Sequence, residues 1–286
     1  MGAEISSYEV ISSFGFCFTR HLCVCMESPK AEKIRFLGGH MMNLIRIEFM
    51  KLKKSNIWTS AVIIPMISVF LGSGNYYLNR EILKSEWYSL WTQVSLFYGF
   101  FFYTITIAII CSYSWRMEHK DNNWNRILAL PYSYLQLIIS KIVSISIVSL
   151  CIQAIFLIFY YVTGKFVFGF KTEFPPEVFI WVGISWIISI SVCSMQSFIS
   201  MNIKSFSVPV GIALFLCFIG IGFYVFKGLG ENLVYFLPNS LLIKGMSSNE
   251  TEMLKVSEYI KMLISTLLFT VFFIYLSIIS IKKIRN

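Results

Sequence analysis

A short polar segment, residues 115–131, carries side chains suited to binding another molecule. It reads Trp-Arg-Met-Glu-His-Lys-Asp-Asn-Asn-Trp-Asn-Arg-Ile-Leu-Ala-Leu-Pro. Asp121 can cap a short helix at its start, and Pro131 ends that helix because the residue before a proline avoids the α region. We therefore predict a short helix here.

One face of this predicted helix is apolar. Trp124, Ile127 and Leu128 are spaced i, i+3 and i+4, so they form a compact ridge. Polar side chains edge the ridge: Asn123, Asn125 and Arg126. The ridge could pack beneath its own protein or fill a groove on a partner, and the residues alone leave both open.

Residues for catalysis or metal binding are sparse elsewhere. The three histidines, His21, His40 and His119, are dispersed, and the seven cysteines show neither zinc-ligand spacing nor a disulfide framework. Gly164-Lys165 lacks the upstream glycine of a phosphate loop and is followed by Phe166. We therefore expect no enzyme activity and no cofactor, ATP or metal bound by this chain.

Six long apolar stretches must position the polar segment. Each has the roughly 20 apolar residues that a helix needs to cross a hydrocarbon core of about 30 Å. A mean hydropathy of +0.69 and 56% hydrophobic residues agree with a chain that lipid solvates. We predict an all-α membrane protein with six transmembrane helices: Ile57–Leu78, Val94–Trp115, Leu137–Val162, Val178–Ser200, Ser207–Phe226 and Ile260–Ile281.

Ionisable residues are almost absent from these stretches, which disfavours a proton- or ion-coupled transporter. Lys141 and Lys261 lie near predicted helix ends, where we expect their long side chains to reach water. Intramembrane polar residues such as Gln153, Gln196 and Ser185 are expected to bond between helices, although they could also line a path.

The charge distribution predicts that both termini are cytoplasmic. With that orientation the cytoplasmic segments after residue 40 hold twelve basic and three acidic residues, a net charge of +9. The external segments carry eight of each sign and sum to zero. Because loops rich in Lys and Arg stay inside, this asymmetry is a topology signal and does not indicate nucleic-acid binding.

Residues 1–40 differ from the rest and are interpreted as a leader. Gly38 and Gly39 precede Met41 and Met42, and their codons could form a ribosome-binding sequence. Our hypothesis is that translation naturally starts at Met41 or Met42, which leaves residues 41–286 as the membrane domain. The alternative is a disordered cytoplasmic leader.

Residues 41–54 have the pattern of an amphipathic helix on the inner membrane surface. Met41, Met42, Ile45, Phe49 and Leu52 share one face, and basic residues occupy the remainder. Anionic headgroups are expected to hold the basic side. The interfacial residues we predict are Arg46, Glu48, Phe49, Lys51, Lys53 and Lys54.

From residue 41 to 286 the chain resembles the ABC-2 type transporter permeases. That family has a basic amphipathic N-terminal helix, six crossings, and a cytoplasmic link with a glutamate, a coupling helix and a Leu-x-Leu-Pro turn before a lysine of helix three. The matching residues are Glu118, Trp124 with its helix, Leu128-Ala-Leu-Pro131 and Lys141. The Glu-His-Lys-x-Asn-Asn-Trp run is similar to permeases of lantibiotic self-immunity exporters.

The resemblance implies a coupling role for the polar segment. A separate cytoplasmic ABC ATPase dimer would bind ATP and Mg and move the coupling helix, beneath this chain and a second permease that is identical or related. Glu118 is expected to position the loop near Lys120 or Arg126. The implied coupling residues are Glu118, Asn123, Trp124, Arg126, Ile127, Leu128 and Pro131.

The external segment from Lys227 to Tyr259 contains an apolar patch of eleven residues, Leu233–Ile243, which is too short to cross. We predict a re-entrant or interfacial element interrupted by Pro238, as ABC-2 permeases have before their last helix. A possible exit gate consists of Phe236, Pro238 and Asn239. The alternative is a simple surface anchor.

These features together predict a multi-pass permease of the bacterial plasma membrane. The resemblance implies export of an amphipathic lantibiotic-like peptide, which would give self-immunity or antibiotic resistance. The alternatives are export of another amphipathic antibiotic or lipid, or a non-transporting membrane immunity or regulatory protein. An adjacent ATP-binding gene would favour the permease.

Overall fold

The computed structural model describes residues 29–53, 55–120, 132–226, 232–247 and 254–285, and this part of the chain is helical without strands. The chain divides into two compact units, residues 1–44 and 45–286. In the first unit, residues 29–44 are helical. The second unit contains every span described below.

The described ranges contain nine α-helices: α1 Pro29–Lys53, α2 Ile57–Leu78, α3 Glu86–Phe97, α4 Tyr103–His119, α5 Tyr134–Val162, α6 Glu177–Asn202, α7 Ser207–Val225, α8 Pro238–Met246 and α9 Val256–Arg285. A π-helical turn, Tyr98–Phe102, connects α3 to α4, and another, Thr163–Val167, extends α5. A 3-10 turn, Leu233–Phe236, precedes α8.

Six of these segments are long and apolar enough to cross a membrane, which confirms the predicted number of spans. The first span, α2, has the predicted ends. The second, α3 with α4, covers Glu86–His119 and so begins a full two turns before the predicted Val94. The helix begins earlier because its first turns are also buried in the core, through Trp87, Leu90 and Trp91.

The start of α5 is fixed by local sequence. The Ser133 hydroxyl accepts a hydrogen bond from the Gln136 backbone N–H at 3.2 Å, and the Gln136 side chain accepts one from the Ser133 N–H at 3.0 Å. This reciprocal capping box satisfies two amide donors that a helix start otherwise leaves unpaired. It therefore sets where the third span begins after the polar segment.

The fourth span, α6, is the central helix, since it packs against α4, α5, α8 and α9. Its buried face carries small side chains, including Ser185, Ser189 and Cys193, that let neighbouring backbones approach. Gln153 of α5 donates to the Ser185 hydroxyl at 3.0 Å, and the Ser149 and Ser189 hydroxyls lie 3.4 Å apart. The predicted hydrogen bonding between spans is thus confirmed for Gln153 and Ser185.

Aromatic side chains pack at the ends of the second and third spans. The Trp87 ring meets Tyr160, Phe170 and Phe174 edge to face, with centroid distances between 5.1 and 5.6 Å. Gly164 permits this packing, because a Cβ there would lie 2.3 Å from the Trp87 ring. The aromatic cluster thereby joins α3 to the end of α5.

Candidate coupling site

Glu48 and Lys51 lie three residues apart on α1, one helical turn that brings both onto one face. The Lys51 ammonium lies 2.8 Å from the Glu48 carboxylate. The Glu48 side chain is 10% exposed, whereas the Lys51 side chain keeps 26% of its surface exposed. This charged pair therefore faces the helical bundle, with Lys51 on its outer side.

Two further charges complete a ring. Glu118, near the end of α4, lies 2.7 Å from Lys51 and also 2.7 Å from Lys141 of α5. Lys141 in turn lies 2.7 Å from Glu48. Each lysine thus contacts both glutamates, and the four side chains form a closed ring without net charge, here called the charge ring.

The Lys141 ammonium is fully satisfied. Its side chain is 1% exposed, and it donates to Glu48, Glu118 and, at 3.3 Å, the Ser114 hydroxyl, which accounts for all three N–H donors. The Trp115 ring lies 5.0 Å away as a cation–π partner. Burying ions costs several kcal/mol each, and good pairing geometry offsets that cost.

The pKa of the Glu48 carboxyl responds to two opposing effects. Burial raises this pKa because it disfavours the ionised form, but the ammonium groups of Lys141 and Lys51 lower it by attraction and hydrogen bonding. The effect of the two lysines exceeds the effect of burial, so the pKa lies below its ordinary value of 4.5. Glu48 is therefore ionised at neutral pH.

The charge ring joins the helices that lie on either side of residues 121–131. Glu118 precedes residues 121–131 and Lys141 follows them, while Glu48 and Lys51 come from the amphipathic helix. Two more contacts hold the end of α4: His119 Nε2 lies 3.4 Å from the Ser200 carbonyl of α6, and the Arg116 guanidinium lies 5.8 Å from the Phe206 ring centroid. A displacement of the segment at this end would thus reach α1, α5 and α6.

The structure corrects one expectation about a lysine. Lys141 does not extend to water, because its ammonium is buried and paired within the charge ring. Lys51 pairs with Glu48 and Glu118 and keeps 26% of its side chain exposed, and its place among the interfacial residues stays a prediction. Arg46 and Lys53 are exposed as expected, Phe49 is half-buried against the core, and Lys54 lies outside the described residues.

Glu118 has partners that the sequence analysis did not anticipate. Its carboxylate contacts Lys51 and Lys141. Its expected position near Lys120 or Arg126 stays a prediction, since Arg126 lies outside the described residues. The remaining predicted coupling residues lie outside the described residues: Asn123, Trp124, Arg126, Ile127, Leu128 and Pro131. A usable signal for the ring existed, since Lys141 is an isolated charge near the start of the third span and Glu118 lies at the adjoining end of the second span.

The possible exit gate lies at the opposite end of the spans. Phe236 is 69% exposed, whereas Pro238 is the first residue of α8, and both it and Asn239 are buried. Helix α8 packs on α6 and α7, and its approach to α7 is close at Gly220, where a Cβ would lie 3.1 Å from the Asn239 Cβ. The gating role of these residues remains a prediction.

An ion pair holds α8 to the last span. The Lys244 ammonium of α8 lies 2.7 Å from the Glu258 carboxylate of α9 and 3.1 Å from the Tyr235 hydroxyl. Partial burial lowers the pKa of Lys244, but hydrogen bonds to Glu258 and Tyr235 outweigh burial and raise it above its ordinary value. Helix α8 is therefore held against both α7 and α9.

Comparison with known families gives one finding that bears on this arrangement. A family model described as ABC-2 family transporter protein matches residues 44–220, from α1 to the fifth span. The match includes all four members of the charge ring. A search of curated proteins finds no match.

Proposed function

We propose that this chain, which belongs to the ABC-2 family of transporter proteins and is a permease subunit of an ABC exporter, removes a lantibiotic-like amphipathic peptide from the membrane. Such removal would give the cell self-immunity or resistance. Six apolar spans make it a multi-pass membrane protein. Because the chain has no phosphate loop, the ATP and Mg belong to a partner ABC ATPase.

The charge ring is the observation that best supports coupled transport by this chain. ATP binding in the partner would move residues 121–131, and Glu118 and Lys141 lie on the helices that precede and follow that segment. Because both residues also contact Glu48 or Lys51, the movement would pass to α1 and to the third span together. A second permease, identical or related, would complete the transport pathway.

The resemblance of the Glu-His-Lys-x-Asn-Asn-Trp run supports the peptide substrate. The test is to express the chain with a cytoplasmic ABC ATPase in a lantibiotic-sensitive bacterium and to measure peptide released from the cells into the medium. We expect release with the active ATPase and none with an ATPase whose phosphate-loop lysine is replaced.

The same experiment separates the alternatives. Protection without release, and without any ATPase, would identify a non-transporting immunity protein and refute export. Release of a lipid-like antibiotic but not of the peptide would refute the peptide assignment while retaining the exporter.

The positive charge of the cytoplasmic segments supports an orientation with both termini inside. In a background without accessible native cysteines, a membrane-impermeant thiol reagent should label cysteine introduced at Ser85, Thr172 or Ser248 from outside. The reagent should not label a cysteine introduced at Asn123 or Lys283. External labelling at Asn123 would invert the orientation and remove the proposed coupling surface from the ATPase.

A further inference from the structure

An apolar groove of about 420 Å³ lies on the surface of the second unit, between α2 and the end of α5. Its walls include Met66, Phe70, Gly74 and Tyr77 on one side and Thr163 on the other. The groove is open beside Gly74, where an added Cβ would meet no atom within 4 Å. Phe70 is 76% exposed, so the groove opens sideways toward lipid instead of into the bundle.

The length of the groove fits one membrane leaflet. From Met66 to Tyr77 helix α2 rises about 16 Å, at 1.5 Å per residue. Half of a hydrocarbon core of about 30 Å is about 15 Å. A single lipid chain can therefore lie along the groove from the membrane surface to the midplane.

A cation stands at the outer end of the groove. The Arg80 guanidinium lies 4.9 Å from the centroid of the Tyr77 ring, and Tyr77 lines the groove. Arg80 is exposed and has no ion-pair partner among the described carboxylates. A guanidinium presents a planar fork of donors that suits phosphate oxygens.

A second polar group faces the same space. The Ser73 hydroxyl lines the groove, is buried, and has no hydrogen-bond partner among the described residues. Ser73 lies one turn from Tyr77, over which Arg80 folds back. A hydroxyl at this depth can donate to the ester carbonyl that a phospholipid carries just below its phosphate.

We propose that this groove binds one acyl chain of a phospholipid whose phosphate pairs with Arg80. The chain packs along Met66, Phe70 and Gly74, and the Ser73 hydroxyl bonds an ester carbonyl. With the termini inside, the lipid occupies the outer leaflet. Lipid binding at this groove does not depend on which substrate the exporter moves. Its test needs neither ATP nor the partner ATPase.

The test uses the full chain in vesicles of phosphatidylcholine and phosphatidylglycerol with a trace of phosphatidylglycerol that carries a diazirine in one acyl chain. After illumination, mass spectrometry maps the cross-linked residues. We expect cross-links concentrated on the groove. Gly74→Leu should reduce that share several-fold, because the leucine fills the groove. Gly211→Leu on α7 is the matched control, since a Cβ there also meets nothing within 4 Å.

The headgroup contact is tested separately. Arg80→Gln should lower groove labelling about fivefold, the effect of one basic residue near an anionic lipid. The control Lys84→Gln, an exposed residue that does not line this groove, should leave labelling unchanged. Labelling spread evenly over α2, α7 and α9 and unaffected by Gly74→Leu would show annular lipid only and overturn the site. If Gly74→Leu reduced groove labelling and Arg80→Gln did not, the proposed contact between Arg80 and the phosphate would be overturned.

Discussion

Lys141 of α5 and Glu48 of α1 are 93 positions apart in the sequence, yet the Lys141 Nζ lies 2.7 Å from a Glu48 carboxylate oxygen. The same ammonium lies 2.7 Å from Glu118 of α4. One buried cation thus holds together the amphipathic helix and the two spans that flank residues 121–131. Its removal would leave two glutamates with a single lysine.

Replacement of Lys141 by methionine should therefore destabilise the protein strongly. Removing one partner of a buried ion pair typically costs about 3–5 kcal/mol, because the remaining charge is left uncompensated. The measurement is thermal unfolding of the purified protein in detergent. Lys165→Met is the matched control, since Lys165 is exposed beyond the other end of α5.

The double variant Glu118→Gln/Lys141→Met sharpens this test. It removes one acid and one base and leaves Glu48 paired with Lys51, so its loss of stability should be smaller than the sum of the two single losses. Additive losses, or equal effects of Lys141→Met and Lys165→Met, would show that the charge ring does not stabilise this end of the bundle.

Acidification should weaken the charge ring through Glu48. Because the pKa of Glu48 is lowered in the folded protein, its ionised form contributes stability at pH above the ordinary carboxyl value of 4.5. That contribution is lost as the pH falls through the lowered pKa. The unfolding temperature of Glu48→Gln should thus fall less steeply with acid than that of the wild type. Glu173→Gln, at an exposed site, should keep the wild-type slope.

Separation of α8 from α7 should impair export while leaving assembly intact. In Gly220→Val the new side chain meets the Asn239 Cβ and the Ser240 backbone nitrogen at 3.1 Å, so α8 must shift. Overpacking of this kind costs about 1–3 kcal/mol. Membrane insertion and ATPase co-purification should persist while peptide release falls. Gly222→Val, where a Cβ meets nothing within 4 Å, should behave as the wild type, and equal release by both would argue against a gate.

Trp124 is expected to anchor the ATPase contact, a prediction that comes from the sequence because the residue lies outside the described parts. Truncation of a large aromatic at an interface centre commonly costs about 2 kcal/mol or more, which is over tenfold in affinity. Trp124→Ala should insert normally but lose ATPase co-purification and protection. Glu118→Gln should weaken co-purification less, since the structure places Glu118 in the charge ring. Normal binding and protection by Trp124→Ala would assign the ridge to its own bundle.

The sequence alone determined the number of spans and the class of fold. Lipid provides no hydrogen-bond partners, so six stretches of about 20 apolar residues can only be helices. The first span was predicted with both its ends, since Ser55 and Asn56 precede it and Asn79 and Arg80 follow it. The ABC-2 resemblance rested on local motifs, and the family match confirms it.

Only the tertiary structure decided which charges meet. Helical periodicity places Lys51 on the polar side of α1. A pattern along one helix cannot show that Glu118 and Lys141, which belong to other helices, contact that side. It likewise cannot show that Trp87 and Trp91 extend the second span, because their burial depends on Tyr160 and Trp181 across the bundle. Partners in a membrane bundle are set by contacts between distant segments, and the groove at Gly74 exists only because α2 and α5 lie side by side.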